Sequence, residues 1–266
     1  MTFKPAIFPS AARTLLALML IAATLPLSAA QRNPPAARDE APDAAEIADG
    51  RETITPSGLQ PDFPAQARCP QIASAYASPT RYDGSARPRW AFGGLHGGID
   101  ITLAEGTPLL ALAAGTVIGK GEGGMLEGIF LWLRHAPEDT GLPYWVYSKY
   151  QQLESLPTLE NGARVAVGQL VARAGKTGTV GRHYGMSGYP HLHLTTRKSN
   201  RGDLAAGPRG AERGLFLFDP LAIYREAAGE PPANSRAVPI PYAGTDGNLN
   251  PAGTRVVWPV ACPPKS

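Results

Sequence analysis

Apolar and polar residues alternate over short stretches in the middle of the chain, and glycine-rich turns separate these stretches. A period of two is typical of β-strands that bury one face. Regular short strands with turn residues between them predict an all-β sandwich or barrel. The predicted strands cover residues 98–103, 108–112, 116–119, 128–135, 144–153, 164–167, 170–174 and 190–197.

One short helix is predicted after these strands. Asp219 is suited to cap a helix whose first residue is Pro220, and the helix is expected to end near Gly229. The final segment, residues 230–266, is Pro-rich and irregular. Its apolar run at residues 256–258 is predicted to pack back on the domain.

The first thirty residues have the pattern of a secretory signal peptide. Lys4 and Arg13 provide the positive leading region, and the small residues Ser28 to Ala30 predict cleavage after Ala30. The apolar run at residues 14–27 is shorter than the ~20 residues that span a bilayer, so an uncleaved anchor is the less favoured alternative. We expect a periplasmic or secreted protein with no membrane attachment after cleavage.

Composition divides the remaining chain into a linker, one domain and a tail. Residues 31–60 are rich in alanine, proline and acidic residues, a composition that cannot bury a core and predicts a disordered linker. Residues 61–229 are predicted to form one domain of ordinary size, and residues 230–266 a Pro-rich tail.

The charge of the chain gives no sign of a nucleic-acid partner. The formal net charge is +3, and removal of a leader whose only charged residues are Lys4 and Arg13 leaves a nearly neutral chain. The five basic residues between positions 197 and 213 are interpreted as a solvated loop.

The chain contains two cysteines, Cys69 and Cys262, which flank the predicted strands. In an exported protein an even number of cysteines favours a disulfide, although two free thiols are the alternative. A bond between them would tie the tail to the start of the domain.

Histidine and aspartate provide the candidate chemistry. His191 and His193 alternate with leucines on a predicted strand, so both imidazoles are expected to leave one face while Leu192 and Leu194 point into the core. Upstream, His96 precedes Asp100 in a glycine-rich segment. Alone, the paired histidines could be hydrogen-bonded surface residues, and a His-x-x-x-Asp spacing occurs by chance in many chains. Together they predict a zinc site with three protein ligands, His96, Asp100 and one of the paired histidines, and a fourth position for water.

Four ordered segments, residues 95–101, 106–117, 168–178 and 191–194, resemble the lysostaphin-type, LytM-like zinc endopeptidases of bacterial cell walls. The resemblance covers roughly residues 90–194. It implies an antiparallel β-sheet sandwich or barrel-like hybrid, the duplicated hybrid motif, with a metal in a groove across the sheet. It also implies that His96, Asp100 and His193 bind Zn²⁺, that His191 is catalytic, and that the substrate is a peptide cross-link of peptidoglycan.

The sequence departs from the family pattern at one position. Gln152 stands where the family usually has a second active-site histidine, in a Tyr-x-His-Leu segment. An amide can donate a hydrogen bond to a developing oxyanion but cannot carry a proton. His183, in the loop before the His191 strand, is a candidate substitute, whereas His135 ends a strand and is interpreted as structural.

Four tyrosines, Tyr147, Tyr150, Tyr184 and Tyr189, are candidates to line the cleft. Ordinary packing is an equally good interpretation for the first two.

Two functions from different classes follow from these residues. The first is a zinc metalloendopeptidase that hydrolyses peptidoglycan cross-links. The second is a catalytically weak or inactive relative that keeps its zinc and regulates a partner cell-wall hydrolase, which Gln152 favours. A phosphocarrier with a related β architecture would be a third class, but an exported protein is out of reach of cytoplasmic phosphoryl donors.

Overall fold

The computed structural model describes residues 54–89, 91–124, 127–178, 189–207, 210–211, 214–229 and 235–265. The predicted signal peptide, most of the predicted linker, His183 and Tyr184 lie outside these residues. No helix within the described ranges is long and apolar enough to cross a lipid bilayer.

Sixteen short strands and two helices make up the described part of the chain. The strands are β1 (Gln60–Asp62), β2 (Ile72–Ser74), β3 (Ile99–Thr102), β4 (Pro108–Leu110), β5 (Gly115–Glu122), β6 (Ile129–His135), β7 (Trp145–Gln151), β8 (Arg164–Val165), β9 (Leu170–Arg173), β10 (His191–Ser199), β11 (Ala206–Gly207), β12 (Gly210–Ala211), β13 (Phe216–Phe218), β14 (Ala237–Pro239), β15 (Tyr242–Ala243) and β16 (Leu249–Asn250). The helices are α1 (Pro137–Thr140) and α2 (Pro220–Ala227).

An antiparallel sheet forms the centre of the fold and confirms the all-β prediction. Its strand order is β2-β3-β10-β7-β6-β5-β8, with β13 paired beside the second half of β10. The described strands do not close into a barrel, because β2 and β8 stand at the two ends of this order. A separate pair, β1 and β14, runs parallel.

The sequence predicts one of the two helices and not the other. The predicted helix is α2, where the side chain of Asp219 accepts a hydrogen bond from the backbone N–H of Leu221 and Pro220 occupies the first turn. The additional helix α1 is a single turn that ends at Gly141, which has a left-handed φ of 80°. Four residues are too few to give a helical period, which is why the sequence pattern predicted one helix only.

One face of the central sheet packs on the main core. Ile99, Leu131, Tyr150 and Leu194 come from four adjacent strands and are fully buried. The Tyr150 hydroxyl donates to the carbonyl of Leu110 and so ties this face to the layer beneath it. Tyr150 is therefore a packing residue, not part of a cleft.

The opposite face carries a smaller apolar cluster, formed by Phe130, Trp132, Tyr147, Leu204 and Leu215. Tyr147 is fully buried there, and its hydroxyl donates to the carbonyl of Arg201. Packing is thus the correct interpretation for Tyr147 as well.

The C-terminal segment packs against the core, as predicted for residues 256–258. Trp258 is fully buried and its indole N–H donates to the carbonyl of Pro70. The predicted disulfide is confirmed, because Cys69 and Cys262 are bonded to each other. This bond links the two ends of the described chain across 193 residues.

Two features differ from the sequence interpretation. Ile54 and Leu59 are buried in the main core, so the folded region includes residues before Pro61. Arg197, taken as part of a solvated loop, is 3% exposed, and its guanidinium donates to the carbonyl of Leu215. It lies on the central strand β10, opposite Leu217 of β13 and Tyr147 of β7.

Candidate metal centre

Strand pairing brings the predicted site residues together. In the antiparallel pair of β3 and β10, Asp100 lies directly opposite His193 and Ile99 opposite Leu194. Because side chains alternate along each strand, Asp100 and His193 share one face of the sheet. Leu192 and Leu194 are fully buried on the other face, which confirms the predicted orientation.

Glycine in the segment before β3 allows the two strands to approach. A Cβ at Gly98 would lie 2.3 Å from the carbonyl oxygen of Leu194 and 3.0 Å from Nε2 of His193. Only glycine fits this space without a shift of the backbone. The turn at Gly97 and Gly98 therefore places His96 against the face that carries Asp100 and His193.

Three donor atoms of His96, Asp100 and His193 converge on one point. Nε2 of His96 lies 3.0 Å from Nδ1 of His193 and 3.1 Å from Oδ1 of Asp100, and Nδ1 of His193 lies 2.8 Å from that oxygen. Donors bound at ordinary zinc distances in a tetrahedral site stand about 3.3 Å apart. The three atoms are therefore close enough to share one ion, and these side chains form a candidate metal site.

The second nitrogen of each histidine ligand has a hydrogen-bond partner of its own. Nδ1 of His96 lies 3.0 Å from the carbonyl oxygen of Ala75, which can only accept, so this nitrogen carries the proton. Nε2 of His193 lies 3.0 Å from Oγ1 of Thr195, whose hydroxyl in turn points to Oε1 of Gln151. Such contacts fix the tautomer and leave the opposite nitrogen with a lone pair for a metal.

The remaining oxygen of Asp100 also has a partner. Oδ2 lies 3.3 Å from Nη2 of Arg87, a residue of the loop after β2. Burial alone would raise the pKa of Asp100, but the facing imidazoles of His96 and His193 hold it well below its ordinary value. The carboxylate is therefore ionised and available as a ligand.

His191 lies beside the three ligands on the same strand face as His193. Its Nε2 is 3.7 Å from Oδ1 of Asp100, and its Nδ1 donates to the carbonyl of Tyr189 at 3.0 Å. Burial lowers the pKa of His191, and the Asp100 charge opposes that shift. Burial likewise lowers the pKa of His193. The two histidines of the strand therefore differ in position: His193 is one of the three converging donors, and His191 lies beside them.

The ring of Tyr189 covers one side of His191. Tyr189 stacks on it with nearly parallel planes, 8° apart, and a centroid separation of 4.4 Å. Tyr82, half-exposed, contacts Tyr189 with ring centroids 3.7 Å apart. Of the tyrosines proposed for the cleft, Tyr189 is at the site.

Gln152 lies one residue beyond the end of β7. Its carbonyl accepts from the N–H of Gly175, and the carbonyl of Gly175 accepts from the N–H of His191. Gln152 is buried, with a left-handed φ of 64°. The backbone therefore holds this residue next to the strand end that carries His191.

Three residues that contact the site were not found from the sequence: Thr195, Gln151 and Arg87. Thr195 is two residues after His193, so the period of two could have identified it. Arg87 precedes Asp100 by 13 residues in an irregular loop, and no sequence pattern indicates its contact.

His135 is outside the site and is structural, as the sequence suggested. It is fully buried, its Nδ1 donates to the carbonyl of Ala114 at 2.7 Å, and its Nε2 lies 2.8 Å from the Ser148 hydroxyl.

Comparison with known proteins gives one family and several similar structures. Residues 94–204 match the model of Peptidase family M23. No curated protein matches the chain significantly. Among solved structures, LytU shares 26% identity over 55% of this chain and 81% of its own, with a TM-score of 0.36.

Two further structures are similar in the same region. A zinc-containing peptidase from Vibrio cholerae shares 27% identity over 51% of this chain and 35% of its own length, with a TM-score of 0.37. The catalytic domain of the antimicrobial peptidase lysostaphin from Staphylococcus simulans shares 20% identity over 54% of this chain and 87% of its own, with a TM-score of 0.38.

The family match spans His96, Asp100, His191 and His193, the same residues that the strands bring together. This part of the chain, residues 94–204, therefore matches Peptidase family M23 and is similar to the LytM-like peptidases of that family.

Proposed function

We propose that this protein is an exported, zinc-dependent endopeptidase that hydrolyses peptide cross-links of bacterial peptidoglycan. The observation that carries the proposal is the convergence of three donor atoms within 3.1 Å of one another, one each from His96, Asp100 and His193.

The donor set fits zinc. Two imidazole nitrogens and one carboxylate oxygen form a ligand set that zinc accepts, and three protein ligands leave a fourth position for water or substrate. When bound, zinc supplies a water that ionises near neutral pH and a positive charge that polarises the scissile carbonyl.

His191 is placed to move the proton. Because its Nδ1–H is donated to the carbonyl of Tyr189, its Nε2 carries a lone pair directed toward Asp100 and the donor cluster. This nitrogen takes the proton of the attacking water and delivers it to the amine nitrogen that leaves. The ring of Tyr189 covers one side of the imidazole and holds its orientation.

Export is supported by the Cys69–Cys262 disulfide, because disulfides persist in oxidising compartments. Peptidoglycan lies in such a compartment, whereas a cytoplasmic protein would not reach it.

A second function, regulation of a partner cell-wall hydrolase, is favoured by Gln152 alone. A buried amide next to the His191 strand can donate a hydrogen bond but cannot transfer a proton. A relative that keeps its metal centre but has glutamine in place of the second active-site histidine would be a weak catalyst.

Purified sacculi distinguish the two functions. We expect the protein to release soluble peptide fragments, and we expect a chelator or the His96→Ala substitution to stop the release. If wild-type protein releases no chelator-sensitive product but stimulates an added cell-wall hydrolase, the regulatory function replaces the enzymatic one.

A further inference from the structure

A residue upstream of the family domain contacts the metal centre. Arg87 precedes the matched residues 94–204, yet its Nη2 lies 3.3 Å from Oδ2 of Asp100 and 2.8 Å from Oγ of Ser74. The side chains of Arg87 and Asp100 are 14% and 8% exposed. This contact is therefore a mostly buried, charge-assisted hydrogen bond and not a surface ion pair.

The two carboxylate oxygens of Asp100 have different partners. Oδ1 faces His96 and His193, whereas Oδ2 accepts from the guanidinium. A carboxylate can bind a metal through one oxygen or through both. A hydrogen bond to Oδ2 favours binding through Oδ1 alone.

We propose that Arg87 is a positioning residue that restricts Asp100 to one-oxygen ligation and so keeps a coordination position open for water or substrate. This proposal rests on the proposed metal binding and adds to it a determinant from outside the family domain.

The guanidinium is itself held in place from two sides. On the strand side, Ser74 in β2 lies opposite Asp100 in β3, and its hydroxyl accepts from Arg87. On the loop side, Nε of Arg87 donates to the carbonyl of Thr80, and its backbone N–H donates to the carbonyl of Pro79. Because the arginine is already ordered, the contact with Asp100 requires little further loss of side-chain freedom.

Charge and geometry act in opposite directions on metal binding at this position. A positive guanidinium near the donor cluster repels a cation, while its hydrogen bond fixes the ligand. A neutral substitution changes both effects, so its influence on affinity has no single expected sign. A Lys substitution keeps the charge and removes the guanidinium, whose Nη2 donates to Asp100 and Ser74 and whose Nε donates to Thr80, so it isolates positioning.

The same loop offers a matched control. Arg81 donates to the Ser85 hydroxyl and the Ala86 carbonyl, so it supports the loop without contacting Asp100. Arg81→Lys and Arg81→Met therefore repeat the chemical changes of Arg87→Lys and Arg87→Met away from the ligand.

Two measurements on these four variants and the wild type test the proposal. Visible absorption of the Co²⁺-loaded protein reports coordination number, because four-coordinate cobalt absorbs more strongly than five- or six-coordinate cobalt. Zinc affinity is measured by competition with a chromogenic chelator. Thermal unfolding in chelator identifies any variant that does not fold.

We expect Arg87→Met to weaken the cobalt absorption, because Asp100 becomes free to bind through both oxygens. We expect Arg87→Lys to lower zinc affinity by about 10- to 100-fold, the range typical of lost contacts behind a metal ligand. Both Arg81 variants should match the wild type.

Equal spectra and affinities in the Arg87 and Arg81 variants would overturn the role of Arg87 and leave the metal centre intact. Absence of zinc binding by the wild type would overturn both. If Arg87→Met does not fold, the affinity of Arg87→Lys decides the question alone.

Discussion

At the residue scale, the candidate centre depends on which atom of each side chain is already hydrogen-bonded. The carbonyl of Ala75 accepts a hydrogen bond from Nδ1–H of His96, and the Thr195 hydroxyl accepts one from Nε2–H of His193. The opposite nitrogens therefore face Asp100 with free lone pairs. His191 is fixed in the same way by Tyr189. The chemistry of the site therefore follows from ordinary backbone and hydroxyl contacts around three imidazoles.

The first prediction concerns Gln152. Substitution Gln152→His should raise peptide-cleaving turnover, by up to about 100-fold, because an imidazole next to the His191 strand can transfer a proton that an amide cannot. Histidine also tolerates the left-handed backbone at this position better than most residues. Turnover on sacculi or a cross-linked peptide measures the effect. An unchanged rate in Gln152→His would show that this position is not the limitation.

The second prediction concerns pH and His135. Burial lowers the pKa of His135 to about 4 from an ordinary value of 6.5, because the fully buried ring is held neutral. As the pH falls, His135 is therefore protonated in the unfolded chain before it is protonated in the folded protein. Its contribution to the free energy of unfolding is fully present above pH 6.5 and is lost as the pH drops toward 4, by up to about 3 kcal/mol. Asp139 and Arg164 lie nearby and shift this titration in opposite directions.

Denaturant unfolding in chelator, at pH 7 and pH 4.5, compares the wild type with His135→Gln. The stability difference between the two proteins should shrink at the lower pH, because only the wild type loses the His135 contribution. A difference that stays constant across this range would contradict the assignment.

At the scale of elements, the pair of strands β3 and β10 positions the centre. Their register sets Asp100 opposite His193, and β7 continues the same face with Gln151 opposite His193. The face then continues to Phe130 in β6, which belongs to the smaller apolar cluster. Because side chains alternate along these strands, one face of the sheet packs on the main core and the other carries the site residues.

The third prediction tests this strand pair. Gly98→Ala places a methyl group 2.3 Å from the Leu194 carbonyl and next to the His193 ring, so the strands must separate or shift. We expect a loss of roughly 1–3 kcal/mol of stability, as in overpacked cores, together with weaker zinc binding. Gly121→Ala in β5 is the control, because its Cβ would meet only the Phe130 ring, at 3.1 Å. Wild-type zinc affinity in Gly98→Ala would argue against the close approach.

How far the sequence predicts these elements depends on their periodicity. The strands that carry Asp100, His191 and His193 were predictable because leucine and isoleucine alternate with the polar ligands. Strands β14 to β16 in the tail are two or three residues long and lie among prolines, so no period reveals them. Arg87 was not predictable either, because its contact depends on the path of an irregular loop.

At the scale of the whole molecule, the ends of the described chain are part of one structure. Cys69 lies three residues before β2, the strand that carries Ser74 next to the metal centre, and Cys262 lies in the tail. Trp258 of the tail contacts the carbonyl of Pro70, beside Cys69. The tail thus helps to hold the segment that supports Arg87 and His96.

The fourth prediction concerns this disulfide. The double substitution Cys69→Ala with Cys262→Ala should lower the free energy of unfolding by about 2–5 kcal/mol, because the bond closes a loop of 193 residues in the unfolded chain. Denaturant unfolding with and without reductant measures it. Reductant should destabilise the wild type and leave the double variant unchanged; equal stability of the two oxidised proteins would contradict the prediction.

The most direct test of the account is the metal content of the purified protein. After dialysis against metal-free buffer, elemental analysis should find about one zinc per chain in the wild type and in His135→Gln, and little in His96→Ala. Each variant loses one buried histidine, but only His96→Ala loses a proposed ligand. Zinc absent from the wild type, or retained in full by His96→Ala, would contradict the shared metal site of His96, Asp100 and His193.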